Sequence, residues 1–435
     1  RPMRHLALAT SVLALLSGCT STAEPPLDPR VDAPVPSAHA PAKPTSPADV
    51  PVAPGGSATS VVDAGNQLGL DLYARLRTRP GNLAYSPASI ALALSMTYAG
   101  AAGTTAAEMA RVLHLPADGD VHAGWATVAS DWAGVGPDVE LGLANRLFGA
   151  ERYPFRAEFT GLVRQRYGAP LELVDFGADP EAARAHINGW VKDRTHERIT
   201  DLIPAGQIDA LTSLVLTNAL YFKATWAEPF DVRATRPASF HASADRTVEA
   251  PFMHQTEGVR YADTDAVELV ELPYRGGRFA ALFVLPKAKD GLAAVEQRLD
   301  AATLGRWVAA LAPRTVSLAL PRFKVDPGAP IALAKELAAL GMPEAFDEVR
   351  ADFSGMSAPG AGRLHIREVF HKAFVAMDEA GTEAAAATAV IMGRESGMAE
   401  PATSFEADHP FLFFVRDTKS GLVAFAGRVA DPTAR

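Results

Sequence analysis

Apolar residues recur at three-and-four spacing over positions 61–76, which predicts an amphipathic helix there. Ser86 followed by Pro87 opens a second, strongly apolar helix through Tyr98. A serine side chain can accept from an orphan amide, and proline's fixed φ suits the first helical position. Thr105, Ala106, Ala107 and Glu108 read as a capping box for a third helix. Helical spacing also runs over 181–194, 292–311 and 331–340, while strand-like runs occupy 139–148, 214–221, 267–272, 279–285 and 316–320. After Arg363 almost every run is strand-like, including 367–377. Helices gathered toward the front and strands toward the back predict an α+β domain, not alternating βαβ units.

One run stands apart: Gly381, Thr382, Glu383, Ala384, Ala385, Ala386, Ala387, Thr388, Ala389, Val390, Ile391, Met392. At period two, one face carries Thr382, Ala384, Ala386, Thr388, Val390 and Met392, none of them charged. The other face carries the single charge, Glu383. Such small side chains would let the segment slip between two strands already in place. No neighbouring stretch offers a tight hairpin partner, so the pattern predicts a loop that becomes a strand at a later step. The four consecutive alanines suit a short surface helix as well. The residues alone leave both readings open.

Composition changes the picture chiefly at the amino terminus. The chain has 435 residues, 48% of them hydrophobic, and a net charge of -9 with no runs of Lys or Arg. That is ample material for a large core, and it argues against nucleic acid as a partner. The one cysteine, Cys19, follows Leu16, Ser17 and Gly18 at the end of an apolar run over 6–16, behind Arg1 and Arg4. The run is too short to span a membrane. Residues 1–19 look like a bacterial lipoprotein signal, whose cysteine would be acylated; an ordinary secretory signal with an incidental cysteine is the alternative. With no other cysteine in the sequence, the fold relies on no disulfide. Residues 20–58 are dense in Pro, Ala, Ser and Asp and read as an extended disordered tether, reaching on the order of 100 Å.

Enzyme signatures are missing. There is no Gly-x-Ser-x-Gly elbow, no phosphate loop and no His-Glu-x-x-His, since His196 and Glu197 are followed by Arg, Ile and Thr. One cysteine excludes paired-cysteine zinc sites. The 11 histidines are scattered. No metal site and no cofactor is expected.

Four motifs share one order. They are Asn82, Leu83, Ala84, Tyr85, Ser86, Pro87, Ala88, Ser89, Ile90; Thr217, Asn218, Ala219, Leu220, Tyr221, Phe222, Lys223, Ala224, Thr225, Trp226; Glu368 through Glu383; and Phe405, Glu406, Ala407, Asp408, His409, Pro410, Phe411. Together these resemble the serpins, a family of serine protease inhibitors, over residues 59–432. The resemblance implies three β-sheets, a surrounding helical bundle and an exposed reactive-centre loop at about 379–404. It also implies a suicide-substrate mechanism, in which a protease cuts the loop and the loop then inserts into the main sheet as an extra strand. A serpin-fold binding protein without inhibitory action is the alternative, and a hydrolase a distant third.

Particular positions follow from the resemblance. Gly381, Thr382, Glu383, Ala384, Ala385, Ala386 and Ala387 match the hinge. Ser86, Ser89, Asn218 and His371 match the shutter, where polar groups hold the central strands; for Ser86, capping is a compatible reading. Trp226 matches the breach, where the loop enters the sheet, although a large core aromatic would explain it equally. Counting from the hinge glycine, the family's usual fifteenth position is Glu395 and the fourteenth, used by a minority, is Arg394. The reactive bond is placed at Arg394–Glu395, with Glu395–Ser396 the next choice and Met398–Ala399 left open by a longer loop. Arg394 would suit a trypsin-like pocket. The implied partner is a serine endopeptidase, trypsin-like or subtilisin-like, or else a cysteine protease. With the signal, the chain is expected to be an exported monomer, held to the outer membrane of the cell envelope (periplasmic or surface-facing) by its lipid alone, or extracellular.

Overall fold

The helix Pro87–Tyr98 organises the interior. Every residue but Ala93 and Tyr98 is buried, because it is apolar on all sides and packs against strands of two different sheets, Leu214–Thr225 and Val423–Val429. Ser86 caps it, accepting from the Ser89 amide at 3.1 Å. The computed structural model describes residues 58–382 and 403–434, and these belong to one compact unit, Ser46–Arg435.

Among the described residues there are three sheets. The largest runs in the order Leu83–Tyr85, Val423–Val429, Phe411–Asp417, Phe279–Pro286, Val267–Pro273, Arg246–Asp263, Ala312–Pro321, Thr403–Glu406, with Arg236–Ser243 hairpinned onto Arg246–Asp263. Its central strand Phe279–Pro286 is buried at every position, as an unbroken apolar run requires. The second runs Phe323–Val325, Val375–Met377, Gly381–Thr382, Leu214–Thr225, Val139–Ala150, Leu171–Val174. A small third sheet pairs Ile331–Ala332 with Phe370–His371. Helices concentrate before Arg194, and the class is α+β.

Several sequence expectations need correction. The third helix is Gly103–Val112 and starts before Thr105, so no capping box forms. The Thr105 hydroxyl instead accepts from the Asp352 amide at 2.9 Å, and the Glu108 carboxylate from the Glu344 amide at 2.9 Å. Tertiary partners outbid the local cap. The helical stretch at 292–311 is two helices, Leu292–Gln297 and Ala301–Ala310, because Asp300 caps the second by accepting from the Thr303 amide at 2.7 Å. The stretch at 331–340 begins as the strand Ile331–Ala332 and becomes helical only at Ala334–Leu340. The strand-like run at 367–377 is ladder-paired only at Phe370–His371 and Val375–Met377. The helices Val121–Ala133 and Ala157–Tyr167 and the Arg236–Asp263 hairpin were not anticipated.

Candidate functional site

Strand Val375–Met377 turns directly into Gly381–Thr382, with Met377 opposite Thr382. The Asp378 amide donates to the Gly381 carbonyl at 3.0 Å, and the Gly381 amide to the Asp378 carbonyl at 3.3 Å. The Asp378 carboxylate also accepts from the Ala380 and Gly381 amides at 2.9 and 3.2 Å. Burial raises the Asp378 pKa, against the pull of these two amides. This tight hairpin overturns the expectation that the hinge has no partner nearby. The turn is made by an aspartate that bonds the backbone just after it, not by a two-residue glycine turn. Gly381 has φ +152°, and a Cβ there would lie 2.8 Å from the Thr225 Cα and run into the Ala224 carbonyl. Only glycine lets the backbone approach this closely.

The turn is clamped from three directions. Trp226 stacks on Tyr274 with ring centroids 4.5 Å apart and 8° between planes. Its indole N–H donates to the Asp378 carbonyl at 2.9 Å, and its backbone amide to Ala380 at 2.9 Å. The Phe230 amide donates to the Glu379 carbonyl at 2.9 Å. Glu379, only 5% exposed, accepts from Arg322 at 2.5 Å and from the Thr235 hydroxyl at 2.6 Å. Burial alone would raise its pKa, but these donors outweigh burial and leave it lowered. Thr382 is buried, and its hydroxyl is hydrogen-bonded to that of Tyr274. Sequence reading singled out Gly381, Thr382 and Trp226 but missed Tyr274, Arg322 and Thr235. Their partners stand 57 to 144 residues away, and no local motif marks them.

Beyond the turn lies a strand edge that is mostly unpaired among the described residues. Leu214–Thr225 is laddered to Val139–Ala150 from Leu214 through Ala224. On its other side, among the described residues, only Ala224 and Thr225 are paired, with Thr382 and Gly381. A cavity of about 520 Å³ follows that edge, lined by Leu214, Leu216, Thr217, Ile366 and His371, with Leu94 from the central helix. Residues 379–382 and 403–404, the two ends of the expected loop, lie in the turn and in strands. Glu383 to Ala387, the reactive-bond candidates Arg394, Glu395 and Ser396, and Cys19 lie outside the described residues.

Ser89 and His371 line the cavity, and Ser86 is hydrogen-bonded to both. The Ser86 amide donates to Nε2 of His371 at 2.9 Å, so that nitrogen carries no proton. Burial fits this state, lowering the His371 pKa to about 4. Asn218 pairs through its backbone with Asn145 on the adjoining strand; its side chain is outside the described residues. Among the described residues no group of three His, Cys, Asp or Glu side chains could hold a metal, and no helix is long and apolar enough to cross a membrane.

A family model described as Serpin (serine protease inhibitor) matches residues 63–432. The chain belongs to the serpin family. Human Serpin B8 is 40% identical over 81% of this chain and 93% of its own. Bovine leukocyte elastase inhibitor is 39% identical over 85% of this chain and 98% of its own. An uncharacterised serpin-like protein of Thermococcus kodakarensis is 38% identical over 99% of both chains. Among solved structures, uncleaved ovalbumin superposes with a TM-score of 0.76 at 28% identity, covering 86% of this chain and 100% of its own. Serpin48 of Tenebrio molitor gives 0.75 at 31% identity, covering 86% of this chain and 98% of its own. This serpin therefore has inhibitors among its relatives, in a family of protease inhibitors rather than enzymes.

Proposed function

We propose that this serpin inhibits a serine endopeptidase as a suicide substrate. One observation carries the reading: among the described residues that edge of Leu214–Thr225 is paired only at Ala224 and Thr225, so Thr382 already lies in the sheet at one end of an edge that a further strand could extend. The protease serine attacks the Arg394 carbonyl and expels the Glu395 amine, leaving an acyl-enzyme. The freed loop then adds to the sheet, with Ala384, Ala386 and Thr388 on the inward face. Each added residue gains roughly 0.5–1.5 kcal/mol of net hydrogen bonding, on the order of 10 kcal/mol for a dozen. Small, uncharged side chains on that face keep insertion fast enough to outrun deacylation.

Arg394 directs the choice toward trypsin-like targets, with subtilisin-like and cysteine proteases next. Neither a cofactor nor a second subunit is needed for this cycle. The proposal extends to the amino terminus, where Leu16, Ser17, Gly18 and Cys19 support acylation of Cys19, and residues 20–58 a tether, for an exported envelope protein. A fatty-acid label on wild type that is lost in Cys19→Ser would support that part, and a label retained would refute it.

Incubation with trypsin-like and subtilisin-like proteases followed by denaturing electrophoresis tests the whole reading. A covalent band surviving SDS is the expected result. Cleavage of the loop without a trapped complex would favour a non-inhibitory binding protein, and turnover of small esters a hydrolase.

A further inference from the structure

We propose that Tyr274 is a positioning residue for loop insertion: its hydroxyl holds Thr382 inside the six-stranded sheet, so that insertion starts from a nucleus already formed. The proposal rests on the inhibitory reading above and adds to it a specific residue and a kinetic role.

The hydroxyl of Tyr274 is placed by elements that do not involve the loop. Its ring lies flat on Trp226, and Phe222 meets it edge-on at 5.2 Å and 70°. Its backbone amide donates to Phe279 at 2.9 Å, and the flanking Pro273 carbonyl accepts from Ala227 at 2.9 Å. The side chain is 0% exposed. At the end of this rigid ring sits a polar group whose hydrogen bond goes to Thr382, itself 3% exposed. If Thr382 swung out, the phenol would stay behind in an apolar pocket without that partner. A buried polar group losing its partner shifts such an equilibrium by about 5- to 30-fold. The Tyr274 hydroxyl therefore biases Gly381 and Thr382 toward the sheet.

The kinetic consequence follows from the cost of starting a strand. The first pair between strands must order several residues before it returns any bonds, whereas each later residue adds bonds at once. Here the first pairs exist before cleavage, Met377 with Thr382 and Thr382 with Ala224. Cutting the loop then leaves only propagation, from Glu383 onward. Inhibition is a race between insertion and deacylation, so a preformed start raises the fraction of encounters that end in a trapped protease.

The test compares Tyr274→Phe, Thr382→Val, the double variant and Thr382→Ser, each checked for a cooperative unfolding transition. Native-state hydrogen exchange reads the latch without any protease. The Gly381 and Thr382 amides should exchange about 5- to 30-fold faster in Tyr274→Phe and Thr382→Val, no faster in the double variant, and at the wild-type rate in Thr382→Ser. With a protease that wild type traps, the moles of serpin consumed per mole trapped should rise several-fold in both single variants while the rate of loop cleavage stays the same. Unchanged exchange, or effects that add in the double variant, would overturn the latch while leaving the inhibitory reading standing. If wild type traps none of the proteases, the inhibitory reading falls and the kinetic role with it, a result distinguishable because exchange is measured separately.

Discussion

The backbone amide of Ser86 donates to Nε2 of His371 at 2.9 Å, joining positions 285 residues apart at a residue that lines the cavity. The contact requires a neutral imidazole. Because burial lowers the folded pKa to about 4, the unfolded chain binds a proton between roughly pH 6.5 and 4 that the folded chain does not. Stability supported by His371 is therefore complete above about pH 6.5 and is lost on acidification toward pH 4, by roughly 3 kcal/mol. Urea unfolding at pH 7 and pH 4.5 should show a smaller acid loss in His371→Gln than in wild type. Equal losses would refute the assignment.

Gly381→Ala should force the hinge out of the sheet. The added Cβ meets the backbone of Ala224 and Thr225 at a φ that disfavours alanine. The cost should be on the order of 2 kcal/mol, read as a fall in the thermal midpoint. New proteolytic sensitivity at residues 381–383 should accompany it.

Thr382→Arg would set a cation where Thr382 is now buried against the Tyr274 hydroxyl. Insertion must then bury an unpaired charge, which is slow. The variant should be cut as readily as wild type yet leave no SDS-stable complex. Trapping at the wild-type level would show that Thr382 is not a hinge position.

Arg322→Ala removes the charged donor to Glu379 and leaves its carboxylate the Thr235 hydroxyl and its own backbone amide. A hydrogen bond to a charged group contributes roughly 1.5–3 kcal/mol, discounted here because Arg322 is 45% exposed. The Glu379 pKa is lowered in the fold, so its contribution is present above the ordinary glutamate range and fades as pH falls through it. The gap between wild type and variant in unfolding free energy should be widest near pH 7 and close below about pH 4.

Arg394→Ala should abolish trapping of trypsin-like enzymes while sparing those that accept small residues. Mass analysis of the peptide released from wild type should give a fragment beginning at Glu395. A fragment beginning elsewhere would move the reactive bond, with Ser396 the next start to look for.

Much of this serpin was legible in the chain by itself. Buried strands such as Phe279–Pro286 announce themselves as apolar runs, and Ser86–Pro87 marks a helix start, because both depend on residues within one element. Family motifs around Ser86, Trp226 and Gly381 pointed to the serpin family, which the match over residues 63–432 shows. What tertiary structure decided is which elements become neighbours. Thr105 became a partner of Asp352 and not a cap, and Met377 found Thr382 across an aspartate turn. Tyr274 met Thr382 across 108 residues, and a cavity formed between Leu214–Thr225 and His371. Periodicity reports which face of an element is buried, a property of sequence over a few residues. Which hydroxyl, carboxylate or strand edge lies opposite depends on how distant segments pack, and no local pattern encodes that.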